Sequence, residues 1–376
     1  MTLKKGFNTY LLYGVSVVIL CNLAYNYFPV PPIFWRILLV AMAIIAIRRN
    51  YNLTKVENSV LFFLVINLLY YMLFLVGPHS GAHMTALGNT LTAFSTLFIF
   101  SYLTRCSLVT EKYLRYFTIL LLIGCVVYYI NYQRLLFIRF DYGDEIDITV
   151  NASTVFVMAM PLLFLEKNKI IAMVEMFVCL AYIFMAVKRG NIIACALPAF
   201  LLVKYNIENS KKKFWVVLVF VIALYFAIQY FQEYILDDFF MKRLEQTGEG
   251  DTSNRTRIYG QAFAAWEQSN FLGLILGNGY HGTNTLIGMK AHCDWLELLV
   301  DYGLFGFVVY LIVFVRFIKR ALSVTNKRIK YAMISCCYIW GIKSLVSMAF
   351  IETWMMILMA TMGILLYKDN EFEFDN

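Results

Sequence analysis

Charged side chains are scarce in this sequence. Asp, Glu, Lys and Arg make up 15% of its 376 residues, whereas soluble domains carry about 25%. Hydrophobic residues account for 61%, and the mean hydropathy is +0.68. So few charges cannot cover a globular surface with solvated side chains, which excludes a soluble enzyme, a DNA-binding module and a disordered linker. The composition predicts a polytopic membrane protein.

The sequence also lacks the CxxC spacing that marks many zinc and redox sites. Its eight cysteines lie mostly within apolar runs, where we expect small buried hydrophobic side chains and no disulfide framework. His79, His83 and His281 are a candidate zinc set. Pro78 and Gly81 argue against the continuous helix that this set needs, and no cysteine or carboxylate falls nearby at ligand spacing. We therefore expect neither a metal nor any other cofactor.

Long apolar runs are abundant. Crossing about 30 Å of hydrocarbon takes roughly 20 helical residues, and runs of this length favour helices over the alternating strands of a barrel. We expect an all-α, polytopic transmembrane helix bundle of about 12 spans, forming a single integral membrane domain over residues 1–376. The first run is too long for a signal peptide, so we expect it to be retained. The predicted spans are 7–28, 31–47, 58–76, 85–104, 113–132, 150–165, 170–187, 191–205, 214–236, 296–318, 331–350 and 353–367.

Lys and Arg are distributed unevenly between alternate loops. If the N-terminus is cytoplasmic, most of the 32 basic residues lie on the cytoplasmic side, as the positive-inside rule requires. The net charge of +8 is then a topology signal and no indication of nucleic-acid binding. Both termini are predicted to be cytoplasmic. The four histidines and the one long hydrophilic loop, 237–295 between spans nine and ten, are then extracytoplasmic, and connections of this length are usually functional.

Three segments of the outer loop carry distinct patterns. RTRIYGQAFAAWEQS at 255–269 places apolar residues at helical spacing, after Asp251 or Ser253 as a candidate cap. FLGLILGNGY at 271–280 contains three glycines suited to tight turns and close backbone approach. AHCDWLELLVDYGLFG at 291–306 leads into the next span, with His292 at its start. The loop is therefore predicted to carry part of an active site.

Together with KRGN at 188–191, these segments resemble the core of the O-antigen polymerase and O-antigen ligase superfamily. The family pattern runs Ser-Arg-Gly, Ser-Gly-Arg-x-x-Ile-Trp, Leu-Gly-x-Gly-x-Gly, and His-Asn-x-x-Leu followed by Gly-Leu-x-Gly. This sequence departs from that pattern at Lys188, Asn254, Tyr259 and Cys293. The likeness extends over roughly 185–306, and it implies a glycosyltransferase whose donor glycan is carried on undecaprenyl pyrophosphate.

The resemblance implies that Arg189 and Arg255 bind the pyrophosphate and that His292 is catalytic. Outside the cytoplasm no nucleotide sugar is present, so the leaving group must arrive attached to the donor, and its departure builds charge on phosphate oxygens. Arginine is always charged and binds phosphate through two parallel hydrogen bonds. A neutral imidazole can accept the proton of the acceptor hydroxyl. Alternatively, Arg189 anchors the end of a span beside Lys188, and His292 caps a helix.

Further polar residues are weaker candidates. Arg257, Asp294 and Glu297 are candidate substrate-binding residues, although the two acids can equally be solvated residues near a helix N-terminus. Lys343 lies within a predicted span, where an unpaired charge is costly. It is either half of a buried ion pair or a residue lining the path of a lipid phosphate. Glu352 is about 13 Å away along a continuous helix, too far for a direct pair, and Glu175 is another candidate partner.

The leading functional hypothesis is a polymerase that joins repeat units of a surface polysaccharide, such as lipopolysaccharide O antigen or capsule, at the outer face of the bacterial inner membrane. A ligase that passes finished glycan to a lipid A core or another acceptor would use the same elements. A twelve-span transporter or lipid flippase is a different class, which expects internal repeats and polar residues near the bilayer midplane; no clear repeat is present. The resemblance implies a lipid-linked donor, a glycan acceptor and membrane lipid as partners, with a chain-length regulator and a flippase as neighbours.

Overall fold

The structure is a computed structural model that describes residues 2–24, 32–50, 52–73, 81–140, 151–186, 188–208 and 255–368. It is 85% helical, and no strand occurs within those ranges. The predicted all-α class is therefore confirmed. The helices are α1 (Thr2–Leu23), α2 (Pro32–Arg49), α3 (Lys55–Leu73), α4 (Gly81–Arg105), α5 (Glu111–Phe140), α6 (Thr154–Ala159), α7 (Lys169–Met185), α8 (Arg189–Glu208), α9 (Arg255–Glu267), α10 (Phe271–Leu276), α11 (Gly282–Ile287), α12 (Asp294–Ser323), α13 (Lys327–Val346) and α14 (Met355–Leu365).

Several of these helices are long and apolar enough to cross a bilayer. In the described ranges, six meet that condition: Gly6–Leu23, Lys55–Met72, Ala86–Arg105, Glu111–Asn131, Arg189–Glu208 and Asp294–Ser323. The polytopic helix bundle is confirmed, whereas the number of twelve spans stays a prediction. The ninth predicted span, 214–236, and residues 237–254 of the outer loop lie outside the described residues.

The last helix, α14, forms the centre of the bundle, and all eleven of its residues are buried. It packs so closely on α4 that a Cβ on Gly363 would collide with the Leu97 carbonyl oxygen. Thr96 Oγ1 of α4 donates a hydrogen bond to the Met356 carbonyl at 2.8 Å. Small residues and hydroxyl groups at such a contact are typical of helices that associate within membranes.

Helix α12 reverses direction at Gly303, where φ is +64° and ψ is −168°. The Tyr310 hydroxyl donates to Asp294 Oδ2 at 3.1 Å, and the rings of Trp295 and Phe314 lie 5.7 Å apart. A straight helix would separate Asp294 and Tyr310 by about 24 Å. The first limb, 294–302, therefore folds back along the second limb, 304–323. The single straight span predicted over 296–318 is thus interrupted, because glycine adopts these dihedral angles without a Cβ penalty.

Helix α13 ends at Val346, and non-helical residues 347–354 connect it to α14. The Asp294 carboxylate accepts hydrogen bonds from the backbone N–H groups of Ala349, at 2.9 and 3.0 Å, and Phe350, at 3.3 Å. Thr90 Oγ1 donates to the Phe350 carbonyl at 3.0 Å. The first limb of α12 and helix α4 therefore hold this connection in place between the two predicted spans.

Candidate functional site

His292 lies immediately before the first limb of α12 in a left-handed backbone conformation, with φ of +54°. Such a conformation is uncommon for a residue with a side chain, and it is concentrated at functional sites. Two side chains hold the turn. Glu297 Oε1 accepts a hydrogen bond from the Ala291 N–H at 2.6 Å, and the Tyr259 hydroxyl donates to the His292 carbonyl at 3.5 Å. His292 as a residue is accessible at the surface, although its ring is partly buried.

Three basic side chains act electrostatically on this imidazole. Partial burial lowers the pKa of His292, and the charges of Arg255, Lys290 and Lys188 lower that pKa further. The neutral ring is therefore the dominant form at neutral pH. Within the described ranges, the imidazole makes no hydrogen bond, so its nitrogen atoms are available to a ligand. The structure thus brings two sequence-predicted residues, Arg255 and His292, into one cluster.

Arg255 begins α9 and is half-buried, whereas Arg257 is exposed. The single Tyr259 hydroxyl proton is shared between the Leu345 carbonyl, at 3.0 Å, and the more distant His292 carbonyl. This one side chain therefore links α9 to both the turn at His292 and the end of α13. Neither arginine side chain is hydrogen-bonded to any described residue. Both remain available to a ligand, and Arg255 is the one whose charge acts on His292.

Arg189 begins α8, and its side chain is half-buried. A Cβ on the next residue, Gly190, would lie 3.1 Å from Val346 Cγ2, so the start of α8 lies against the end of α13. The preceding residue, Lys188, is hydrogen-bonded to the Asn151 side chain, and its charge acts on His292. The motif KRGN therefore contributes to the cluster through Lys188, with Arg189 adjacent in the chain.

Asp294 and Glu297 are oriented into the protein. The Asp294 side chain is 0% exposed, and besides the connection after α13 it accepts a hydrogen bond from Ser344 Oγ at 2.7 Å. Glu297 is 2% exposed and holds the turn at Ala291. Both carboxylates are thus engaged with backbone and side-chain donors of the chain itself. These hydrogen bonds hold the turn before His292 and residues 347–354, and substrate binding by the two acids stays a prediction.

The glycine-rich segment of the outer loop interlocks with the reversal in α12. Gly277 has φ of +81°, and a Cβ there would lie 2.5 Å from the Gly303 nitrogen and collide with the Asp301 carbonyl. The Asn278 N–H donates to the Val300 carbonyl at 2.9 Å, which the reversal has released from helical pairing. The two glycine motifs therefore meet backbone to backbone, and this contact fixes the orientation of the first limb.

A buried polar network lies beneath the cluster. Lys343, 2% exposed, donates to Asn191 Oδ1 at 3.1 Å and to Thr154 Oγ1 at 3.4 Å. Asn191 in turn donates to Ser153 Oγ at 2.6 Å. The charge of Glu352 acts on Lys343. The separation of about 13 Å predicted between Lys343 and Glu352 assumed one continuous helix. It does not apply, because α13 ends at Val346 and the chain turns back.

Sequence reasoning missed Lys290 and Glu352 as members of this arrangement. Lys290 lies two residues before His292, and this short separation along the chain could have identified it. Glu352 gives no sequence signal, because only the end of α13 brings it near Lys343. Glu175, the alternative partner for Lys343, has a buried carboxyl group with no hydrogen-bond partner in the described part of the chain. Among the described residues, no three His, Cys, Asp or Glu side chains form a metal-binding group, and His79 lies outside those residues.

Residues 175–311 match the family model described as O-antigen ligase. This match supports the predicted resemblance to the O-antigen ligase and polymerase superfamily. No curated protein matches the sequence. The matched O-antigen ligase region begins within α7 and ends in the second limb of α12, so it contains Arg189, Arg255 and His292. Members of this family are glycosyltransferase-like ligases and polymerases, which indicates an enzyme, and the apolar helices indicate a membrane protein.

Proposed function

We propose that the chain is a metal-independent glycosyltransferase that polymerises oligosaccharide repeat units carried on undecaprenyl pyrophosphate. The reaction takes place at the outer face of the inner membrane, with both termini of the chain in the cytoplasm. The observation that carries the proposal is the turn at His292, which Tyr259 of α9 and Glu297 hold and where the charges of Arg255, Lys290 and Lys188 act on the imidazole. A phosphate-binding cluster beside a neutral base is the arrangement that transfer from a lipid diphosphate needs.

The cations stabilise the leaving group in this proposal. As the bond between the anomeric carbon and the pyrophosphate oxygen breaks, negative charge grows on the phosphate. Arg255 and Arg189 bind that pyrophosphate, and Lys188 and Lys290 add positive potential. Arg257, which is exposed, is a further candidate to bind the pyrophosphate. Removing a fixed group that stabilises developing charge typically lowers the rate about 100- to 1000-fold.

His292 acts on the acceptor. Its neutral imidazole accepts the proton of a sugar hydroxyl as the hydroxyl oxygen bonds to the anomeric carbon. Glu297 and Tyr259 hold the turn that carries the imidazole, so we assign them as positioning residues, and Asp294 supports the neighbouring connection. The proton then leaves on His292, and the undecaprenyl pyrophosphate departs as an anion.

The proposal is tested in a strain that lacks this chain, complemented with Arg189→Ala, Arg255→Ala or His292→Ala. We expect single repeat units and no polymer in each case. Lys319→Ala is the matched control, since Lys319 is exposed at the opposite end of α12 and its loss leaves polymer length unchanged. Full-length polymer from all three site variants, present in the membrane at control levels, would contradict the proposal.

A second candidate is a ligase, which the description of the matched family model favours. The donor chemistry is the same, and the acceptor is a lipid A core or another molecule. The deletion strain separates the two: a ligase leaves long polymer on undecaprenyl pyrophosphate, whereas a polymerase leaves single units. A chain-length regulator and a flippase are the expected neighbours of either enzyme.

A further inference from the structure

Glu352 is an acidic side chain associated with a cluster that is otherwise basic. Its carboxylate interacts electrostatically with Lys343, Lys290 and Lys188, and the last two also act on His292. Glu352 and His292 therefore border the same cationic region. His292 lies within the matched region, whereas Glu352 lies 41 residues beyond its end at residue 311.

The position of Glu352 is fixed by its surroundings. It belongs to residues 347–354, which Asp294 holds at Ala349 and Phe350. Its own N–H donates to the Ala349 carbonyl at 3.1 Å. The side chain is only partly buried. A carboxylate on so well anchored a segment can hold a ligand group in a defined place without further ordering of the chain.

Glu352 also differs from the other acids of this region. Asp294, Glu297 and Asp301 are buried, and each accepts hydrogen bonds from the chain itself. The Glu352 carboxylate accepts no hydrogen bond from any described residue. A partly buried carboxylate normally finds donors, so this group is free to accept them from a ligand.

We propose that Glu352 binds the acceptor sugar by accepting hydrogen bonds from its hydroxyl groups, with Lys343 as its positioning partner. This inference rests on the proposed function and adds the acceptor side to it. The diphosphate of the donor is anionic and is drawn to Arg255 and Lys188, whereas a carboxylate repels it. A neutral sugar bearing hydroxyl donors is therefore the ligand that suits Glu352. The segment that carries Glu352 is hydrogen-bonded to Asp294, two residues after His292, which brings the acceptor towards the base.

The test uses the full-length protein in lipid nanodiscs. Lipid-linked repeat units from cells lacking this chain are the donor, and a soluble aryl glycoside of the same repeat unit is the acceptor. For Glu352→Gln we expect the acceptor KM to rise about tenfold to a hundredfold, as for loss of one hydrogen bond to a charged group. Donor binding, read as the thermal shift produced by undecaprenyl diphosphate, stays unchanged. Glu267→Gln is the matched control, because Glu267 is exposed at the end of α9 outside the cluster.

An unchanged acceptor KM in Glu352→Gln would overturn the inference. So would a changed donor shift with a normal acceptor KM, since Glu352 would then be only a counter-ion for the lysines. If Glu352→Gln does not fold, Glu352→Asp decides: it keeps the charge on a shorter arm, and an acceptor KM equal to that of the wild type overturns the inference. Absence of any product from the wild-type protein would instead refute the proposed function.

Discussion

The contact between Gly277 and the reversal in α12 yields the sharpest stability prediction. Gly277 has φ of +81° and ψ of 179°, a combination that is essentially restricted to glycine and costs other residues about 1–3 kcal/mol. A Cβ at this position would also collide with the Asp301 carbonyl. Gly277→Ala therefore has to separate the outer loop from the first limb of α12.

The separation removes two hydrogen bonds. The Asn278 N–H donates to the Val300 carbonyl at 2.9 Å, and the Gly279 N–H donates to the Asp301 carbonyl at 3.0 Å. Each contributes about 1 kcal/mol net. Together with the backbone strain, Gly277→Ala should destabilise the protein by at least about 3 kcal/mol. It should also reduce glycosyl transfer, since the first limb carries His292 at its start.

Gly288→Ala is the matched control. Gly288 also has a positive φ, +75°, but no atom lies within 4 Å of a Cβ placed there. Its cost is limited to the left-handed backbone, about 1–2 kcal/mol. Seven of the eight cysteines are buried and Cys106 is exposed, so a thiol-reactive dye reports thermal unfolding in nanodiscs. We expect the thermal unfolding midpoint of Gly277→Ala to be several degrees below that of Gly288→Ala. Equal midpoints would refute the stabilising role of the contact between Gly277 and the reversal in α12.

Three further outcomes are expected. Gly260→Ala, in the middle of α9 with no atom within 4 Å of the new Cβ, should raise the unfolding midpoint through about 1 kcal/mol of helix propensity, and a lower midpoint would contradict this. Lys290→Gln removes a charge that lowers the pKa of His292, so the acid limb of the kcat/KM profile should move to higher pH; a stationary limb would exclude His292 as the titrating base. Asp294→Ala leaves several buried donors unpaired and should cost about 3 kcal/mol or more, measured as loss of thermal stability with normal membrane insertion at low temperature.

The sequence was sufficient for the elements that depend on local pattern. The helix predicted over 255–269 is present as Arg255–Glu267, because the apolar spacing that predicted it is a local property. The position of His292 at a helix start was predictable for the same reason. Its proximity to Arg255 was expected only through the family resemblance, since no local rule relates two residues so far apart in the chain.

The reversal at Gly303 was not predictable from hydropathy. The sequence DYGLFG reads as the outer part of a span, since a glycine within an apolar run is compatible with both a straight helix and a bend. Tertiary contacts favour the bend over the straight helix: Asp294 contacts Tyr310, and Trp295 contacts Phe314. The association of Glu352 with Lys343 escaped prediction in the same way, because it depends on where α13 ends.

The reversal explains why charged groups can be buried at this site. By folding back, the first limb brings the Asp294 carboxylate to the N–H groups of Ala349 and Phe350 in the non-helical connection after α13, so the cost of burying the acid is offset by the donors it satisfies. Lys343 is accommodated by the same break, since the chain turns and returns Glu352 towards it. A continuous α12 and α13 would leave each of these charges without its partner. The interruption of two helices is therefore the physical condition for a rigid, charged cluster around His292 within an otherwise apolar bundle.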